Sequence, residues 1–145
     1  MDSKKRIIEV LDKTHLMSLG TSDTGGVWVA DVIFIHDDDL KIYWMSDPNT
    51  RHSKSIEKDN RVAGTITVSN KVGEDNFGVQ VEGIAEKIEG PRHDLAVKHF
   101  LKRNRSAPRE GDDILEGDSW YVLNPIKIEL IDERNLGFEK FVLKV

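Results

Sequence analysis

The densest run of hydroxyl and basic side chains in the chain is Asn49-Thr50-Arg51-His52-Ser53-Lys54. It lies where the apolar stretch LKIYWMS, which reads as a strand, gives way to a polar segment over about 50–58 that reads as a short helix. The first amides of a helix have no acceptor within it, and the helix dipole is positive there. A guanidinium beside those amides can grip two phosphate oxygens at once. Ser46, at the end of the strand, adds a hydroxyl. Such a set suits a phosphate. The same residues also fit a plainer role, with Asn49 or Thr50 as an ordinary N-cap and Arg51 as surface charge. The cluster alone leaves both readings open.

Other chemistry is sparse. The five histidines are His15, His36, His52, His93 and His99, and their spacing matches no metal-binding helix motif. His93 and His99 fall on different faces of a helix. The acidic run HDDD sits in a turn and lacks the calcium-loop pattern. There is no cysteine, and so no disulfide, thiolate cage or thiol nucleophile. No nucleophile elbow, P-loop or dinucleotide fingerprint occurs. An enzyme with this sequence would draw its chemistry from a cofactor. Trp28, Trp44, Trp120, Tyr43 and Tyr121 all fall in expected strands. They suit core or interface packing, or the flanks of a flat ring.

The elements that must position the cluster are mostly strands. Ser3 is placed to cap a first helix ending near Lys13, with Ile7, Ile8 and Leu11 on its apolar face. HLMSLGTS reads as a strand, and Asp-Thr-Gly-Gly as a turn. VWVADVIFI is β-branched and aromatic, a strong strand, and residues 27–46 read as a hairpin. RVAGTITVS and FGVQVEGIAEKIE are further strands. Gly90-Pro91 ends the second, and a helix over about 91–104 is expected to bury Leu95, Val97, Phe100 and Leu101. Residues 105–118 read as a polar loop. SWYVLNPIKIELID and GFEKFVLKV close the chain as strands. Consecutive strands without alternating helices argue against a doubly wound sheet. Six or seven mostly antiparallel strands predict a closed or partly closed barrel with flanking helices, an α+β, mainly β fold.

The 145 residues suit one domain with a real core. A hydrophobic share of 38% and a charged share of 32% are those of an ordinary globular protein. No apolar run approaches a membrane span, and the charged start of the chain does not read as a signal peptide, so a cytoplasmic protein is expected. A net charge of −5 gives no basic footprint for nucleic acid. The run HFLKRNRSAPR leaves room for a local basic patch, although it reads first as a solvated helix end.

Residues 27–66, VWVADVIFIHDDDLKIYWMSDPNTRHSKSIEKDNRVAGTI, followed by VQVEGIAEKIEG and WYVLNPIKIELID, resemble the pyridoxamine 5′-phosphate oxidase-like, FMN-binding split β-barrel family. The resemblance covers most of the chain. NLGFEK near the C-terminus is similar to a subgroup of short, uncharacterised members. The family implies a six- to seven-stranded antiparallel split barrel and a homodimer with FMN at the subunit interface. The expected anion is then the FMN phosphate. By resemblance Thr50, Arg51 and His52 hold the phosphate, and Trp44, Met45 and Ser46 lie near the ribityl chain and ring. The backbone of Ala30, Asp31, Val32 and Ile33 meets the pyrimidine edge, and Gln80 meets the flavin from the long strand. Trp120, Tyr121 and the loop Leu136, Gly137 and Phe138 close the site from the partner.

The chain departs from the true oxidases. Ala30 and His52 stand where those enzymes carry arginine and lysine. Gln80 is one alternation away from their flavin-contacting glutamine, and DERNLGFEKF replaces their Arg-x-His-Asp-Arg substrate motif. Oxidation of pyridoxine phosphate is therefore not expected. The resemblance implies an FMN-dependent oxidoreductase acting on a small molecule that the sequence does not name. The alternatives are a non-catalytic flavin sensor, carrier or stress protein, or a barrel holding haem or a deazaflavin. His15 and a lid formed by 105–118 are the weak substrate-side candidates.

Overall fold

A computed structural model describes residues 2–145. These residues form α1 (Ser3–Lys13), β1 (Leu16–Asp23), β2 (Gly26–His36), β3 (Ile42–Ser46), α2 (Arg51–Lys58), β4 (Arg61–Thr67), β5 (Phe77–Ile88), α3 (His93–Lys102), β6 (Ser119–Asp132), α4 (Glu133–Leu136) and β7 (Lys140–Lys144). The strands make one antiparallel sheet in the order β3-β2-β1-β4-β5-β6-β7, and an added β3–β6 pairing closes six of them into a barrel. This is an α+β, split-barrel-like fold. Alternation supplies the core: Val62, Gly64 and Ile66 of β4 point inward while Arg61, Ala63, Thr65 and Thr67 face out.

Strand β6 makes both closures. Ser119 to Leu123 pair with β3, and Lys127 to Ile131 pair with β7. Pro125, which has no amide to donate, sits between the two sets. Opposite it the register with β5 shifts between Glu82 and Gly83, the mark of a bulge that turns the strand. A Cβ on Gly83 would lie 2.1 Å from the Asn124 carbonyl oxygen, so only glycine fits.

Helices cover the barrel. Ile7, Val10 and Leu11 of α1 enter the main core with Met17, Phe34 and Leu130. The cap of α1 is Asp2, not Ser3: its carboxylate accepts from the Lys4 and Lys5 amides at 3.1 and 3.2 Å, and the helix already includes Ser3. At the opposite end Ile56 of α2 joins the same core. Helix α3 lies on the outside, over Ile35, Tyr43, Trp120 and Val122. Its buried residues are Leu95, Ala96 and His99. Leu101 is exposed, and Val97 and Phe100 are half-buried. The expected face is thus rotated, because the outer sheet surface accepts an imidazole edge against Trp120, at 5.7 Å between ring centres. Residues 105–118 carry no helix or strand. The short helix α4 falls where the sequence shows only a polar link. Among the described residues no helix is long and apolar enough to cross a membrane.

Candidate functional site

The site is built where β3 ends. After Ser46 the chain turns on Asp47, whose carboxylate accepts from the Asn49 amide at 2.8 Å and whose carbonyl accepts from the Thr50 amide at 3.1 Å. That turn is local Asx chemistry. It delivers Thr50, not Asn49, as the N-cap of α2, with its hydroxyl accepting from the Ser53 amide at 3.3 Å. The amides of Arg51 and His52 then open the helix without intrahelical acceptors.

His52 turns back onto the strand. Its Nε2 lies 3.0 Å from the Ser46 hydroxyl and 3.4 Å from the Thr50 hydroxyl. Burial, with no carboxylate to offset it, pushes the imidazole below its ordinary pKa. Near neutral pH the ring is therefore uncharged. Ser53 is fully buried, and its hydroxyl lies 2.7 Å from that of Thr50. One turn on, the Ser55 hydroxyl donates to Asp23 at 2.7 Å, fixing α2 to the end of β1.

Arg51 points away from this buried network. Its guanidinium lies 4.3 Å over the indole of Trp28. Among the described residues the stack is its one partner, with no hydrogen bond or ion pair, so its N–H edge is free for an anion. The start of α2 thus carries two open amides and one unpaired guanidinium, beside a buried set of the His52 imidazole and the Ser46 and Thr50 hydroxyls, of which Thr50 already donates to the Asp47 carbonyl at 2.9 Å. Open amides and a free guanidinium are donors that suit a phosphate.

Strand β2 runs past the cluster. It pairs with β1 from Gly26 to Ile33, but with β3 only from Phe34 to His36. The Phe34 amide bonds the His15 carbonyl on the β1 side. By strand alternation the main-chain groups of Ile33, Asp31 and Val29 face the other edge. At Ile33 that edge is covered by α3: the His99 ring lies beside the Ile33 carbonyl, although Nδ1 keeps no partner. From Asp31 back to Val27 no strand covers it. The side chains of Ala30 and Val32 point to the barrel interior, whereas Asp31 faces out and accepts from Ser18 at 2.6 Å.

The remaining sequence candidates lie elsewhere. Trp44 is fully buried and stacked on Tyr121, with ring centres 5.9 Å apart and 11° between planes. Trp120 is fully buried under α3, and its indole N–H donates to the Pro91 carbonyl at 2.9 Å. Met45 packs half-buried beside that same cluster. Gln80 sits across the sheet, on an outer groove of about 460 Å³ that Gly20, Val29, Ala63 and Thr65 also line. There it accepts from Lys140 at 3.1 Å. Phe138 is 96% exposed, just after Gly137. His15 is exposed at the start of β1.

Within one chain, then, Ser46, Thr50, Arg51 and His52 come together beside the β2 main chain, and the rings of Trp44 and Trp120 and the amide of Gln80 do not join them. The partner of Arg51, Trp28, was legible only as one aromatic among five. Its contact depends on the β1–β2 hairpin bending over α2, which no local pattern encodes.

No family model matches the chain. Over 142 residues it is 29% identical to the UPF0306 protein YhbP of Salmonella schwarzengrund (strain CVM19633), covering 97% of this chain and 91% of that one. Solved structures share the fold. The conserved hypothetical protein Rv2991 from Mycobacterium tuberculosis superposes with a TM-score of 0.82 at 17% identity, over 100% of this chain and 94% of that one. A candidate pyridoxamine 5′-phosphate oxidase from Listeria innocua gives 0.71 at 15% identity, over 90% and 98%. The haem storage protein HutZ from Vibrio cholerae gives 0.65 at 13% identity, over 99% and 95%. At these identities the likeness establishes the fold, and that fold serves both oxidase-like and haem-storing proteins.

Proposed function

We propose that this protein binds FMN through the β3–α2 junction and uses it as a flavin-dependent oxidoreductase on a small molecule. The observation that carries the reading is an unpaired guanidinium and two open amides at the start of α2 beside an uncovered strand edge. Arg51 and the Arg51 and His52 amides hold the phosphate, and the Ser46, Thr50 and His52 side chains turn to it when it binds. The β2 main chain from Val27 to Asp31 offers alternating donors and acceptors to the polar edge of the ring, a task that needs no particular side chain. The flavin, when bound, supplies hydride or electron transfer. The protein's part is to bind, orient and exclude water.

The outer groove completes the proposal. Val29 is 65% exposed in the groove beside the small residues Gly20 and Ala63, and Val27, 76% exposed, continues the same face of β2. A second copy of the chain covers this apolar strip, which Glu82, Lys127 and Glu129 flank, and the flavin is then held between the two copies.

The test has two parts. Purified protein is mixed with FMN and desalted, and its absorption spectrum and mass in solution are read. A retained flavin spectrum with a dimer mass supports the binding reading; a colourless protein overturns it. A nicotinamide reductant is then added without oxygen. Bleaching of the flavin supports an oxidoreductase, and an unreduced flavin favours the carrier or sensor alternative.

A further inference from the structure

We infer that Trp28 is the positioning residue for Arg51, and that the pair gives the site its preference for a phosphorylated flavin over the dephosphorylated one. The inference rests on the phosphate reading above. The side chain of Trp28 lies on the interior side of β2, opposite Thr21. It is nevertheless 44% exposed, because β2 at this point overshoots the barrel. The indole therefore has no core to fill, and its face is taken by the guanidinium at 4.3 Å.

The stack matters because of what it leaves free. A guanidinium lying flat on an aromatic ring keeps its N–H groups in the plane, available to an anion. A carboxylate partner would instead consume both the charge and the donors. Asp23 is a carboxylate close enough to feel Arg51, but it is half-buried and held by the Ser55 hydroxyl and the Gly25 amide. Those bonds, the Ser55 one first, keep its pKa low, with smaller contributions from Lys58 and Arg51. Asp23 thus attracts Arg51 without forming an ion pair with it. Gly26 lies beside the guanidinium, with an Arg51 terminal nitrogen 3.8 Å from where its Cβ would stand, an ordinary contact. The φ of +117° at Gly26 favours glycine there. Arg51 is thereby ordered, charged and unpaired before any ligand arrives, which lowers the ordering cost of binding.

The test compares FMN with riboflavin, which lacks the phosphate, by flavin-fluorescence titration of the wild type, Trp28→Ala and Trp28→Phe. The expected result is an FMN affinity about fivefold lower in Trp28→Ala, the scale of an exposed cation–π contact. Riboflavin affinity stays unchanged, and Trp28→Phe recovers most of the loss. Equal losses for both flavins would place the indole against the ring and overturn the inference. An unchanged FMN affinity would also overturn it while sparing the phosphate site. A wild type that binds no FMN removes the phosphate reading and the inference together.

Discussion

The Nε2 of His52 lies 3.0 Å from the hydroxyl of Ser46, tying the first turn of α2 to the last residue of β3. The contact holds the ring in a buried position. Burial holds the imidazole neutral, so in the free protein Arg51 is the cation at the start of the helix.

A bound phosphate changes that balance. An anion beside His52 favours the imidazolium, so FMN binding takes up a proton and affinity falls as pH rises through the pKa of the bound state. The phosphate's own second ionisation, near pH 6, acts in the opposite sense. The comparison is therefore with His52→Gln, where only that second effect remains. Titrations between about pH 5.5 and 8.5, a window around the ordinary histidine value, are expected to show wild-type affinity losing ground to the variant as pH rises. Parallel profiles would remove His52 from the phosphate.

His99 predicts acid sensitivity of the fold itself. Burial first, then the charges of Arg103 and Lys102, push its pKa down to about 4, with the Ile33 carbonyl opposing. The unfolded chain therefore holds more protons than the folded one between about pH 6.5 and 4. Stability is fully present above that window and falls as pH drops through it. His99 accounts for on the order of 3 kcal/mol of the loss. Urea unfolding of wild type and His99→Leu checks this: the gap between them should shift in favour of the variant on acidification. A constant gap would contradict it.

Gly83→Ala is expected to be severe. The new Cβ would meet the Asn124 carbonyl oxygen, a backbone atom that cannot swing aside, at 2.1 Å, and the Leu123 side chain at 2.8 Å. Relief requires undoing the bulge beside Pro125, at a cost of about 3 kcal/mol or more. Thermal unfolding reads it directly. A variant as stable as the wild type would mean that the bulge can be reset freely.

What the sequence disclosed follows the range of the interactions. The alternation of Arg61–Thr67 announces a strand with one buried face, and the turn chemistry of Asp47 to Thr50 announces a helix start; both depend on near neighbours. Barrel closure was legible as a type, from strand number and order. The handover at Pro125 between β3 and β7 was not, because it depends on registers set across the whole sheet. His99 misled for a related reason: an imidazole scores as polar, yet the outer face of Ile35 and Trp120 buries it and turns α3 about its axis. At the site, Ser46, Thr50 and His52 lie close in sequence and were found together. The Trp28–Arg51 stack joins distant residues and emerged only with the fold.

Arg51 is proposed to grip the phosphate of FMN, and a fluorescence titration of FMN into wild type and Arg51→Ala decides the point. The wild type should saturate near one flavin per chain, and the variant should lose about 1.5–3 kcal/mol, the scale of hydrogen bonds to a charged group. Equal affinities, or no binding by the wild type, would contradict it.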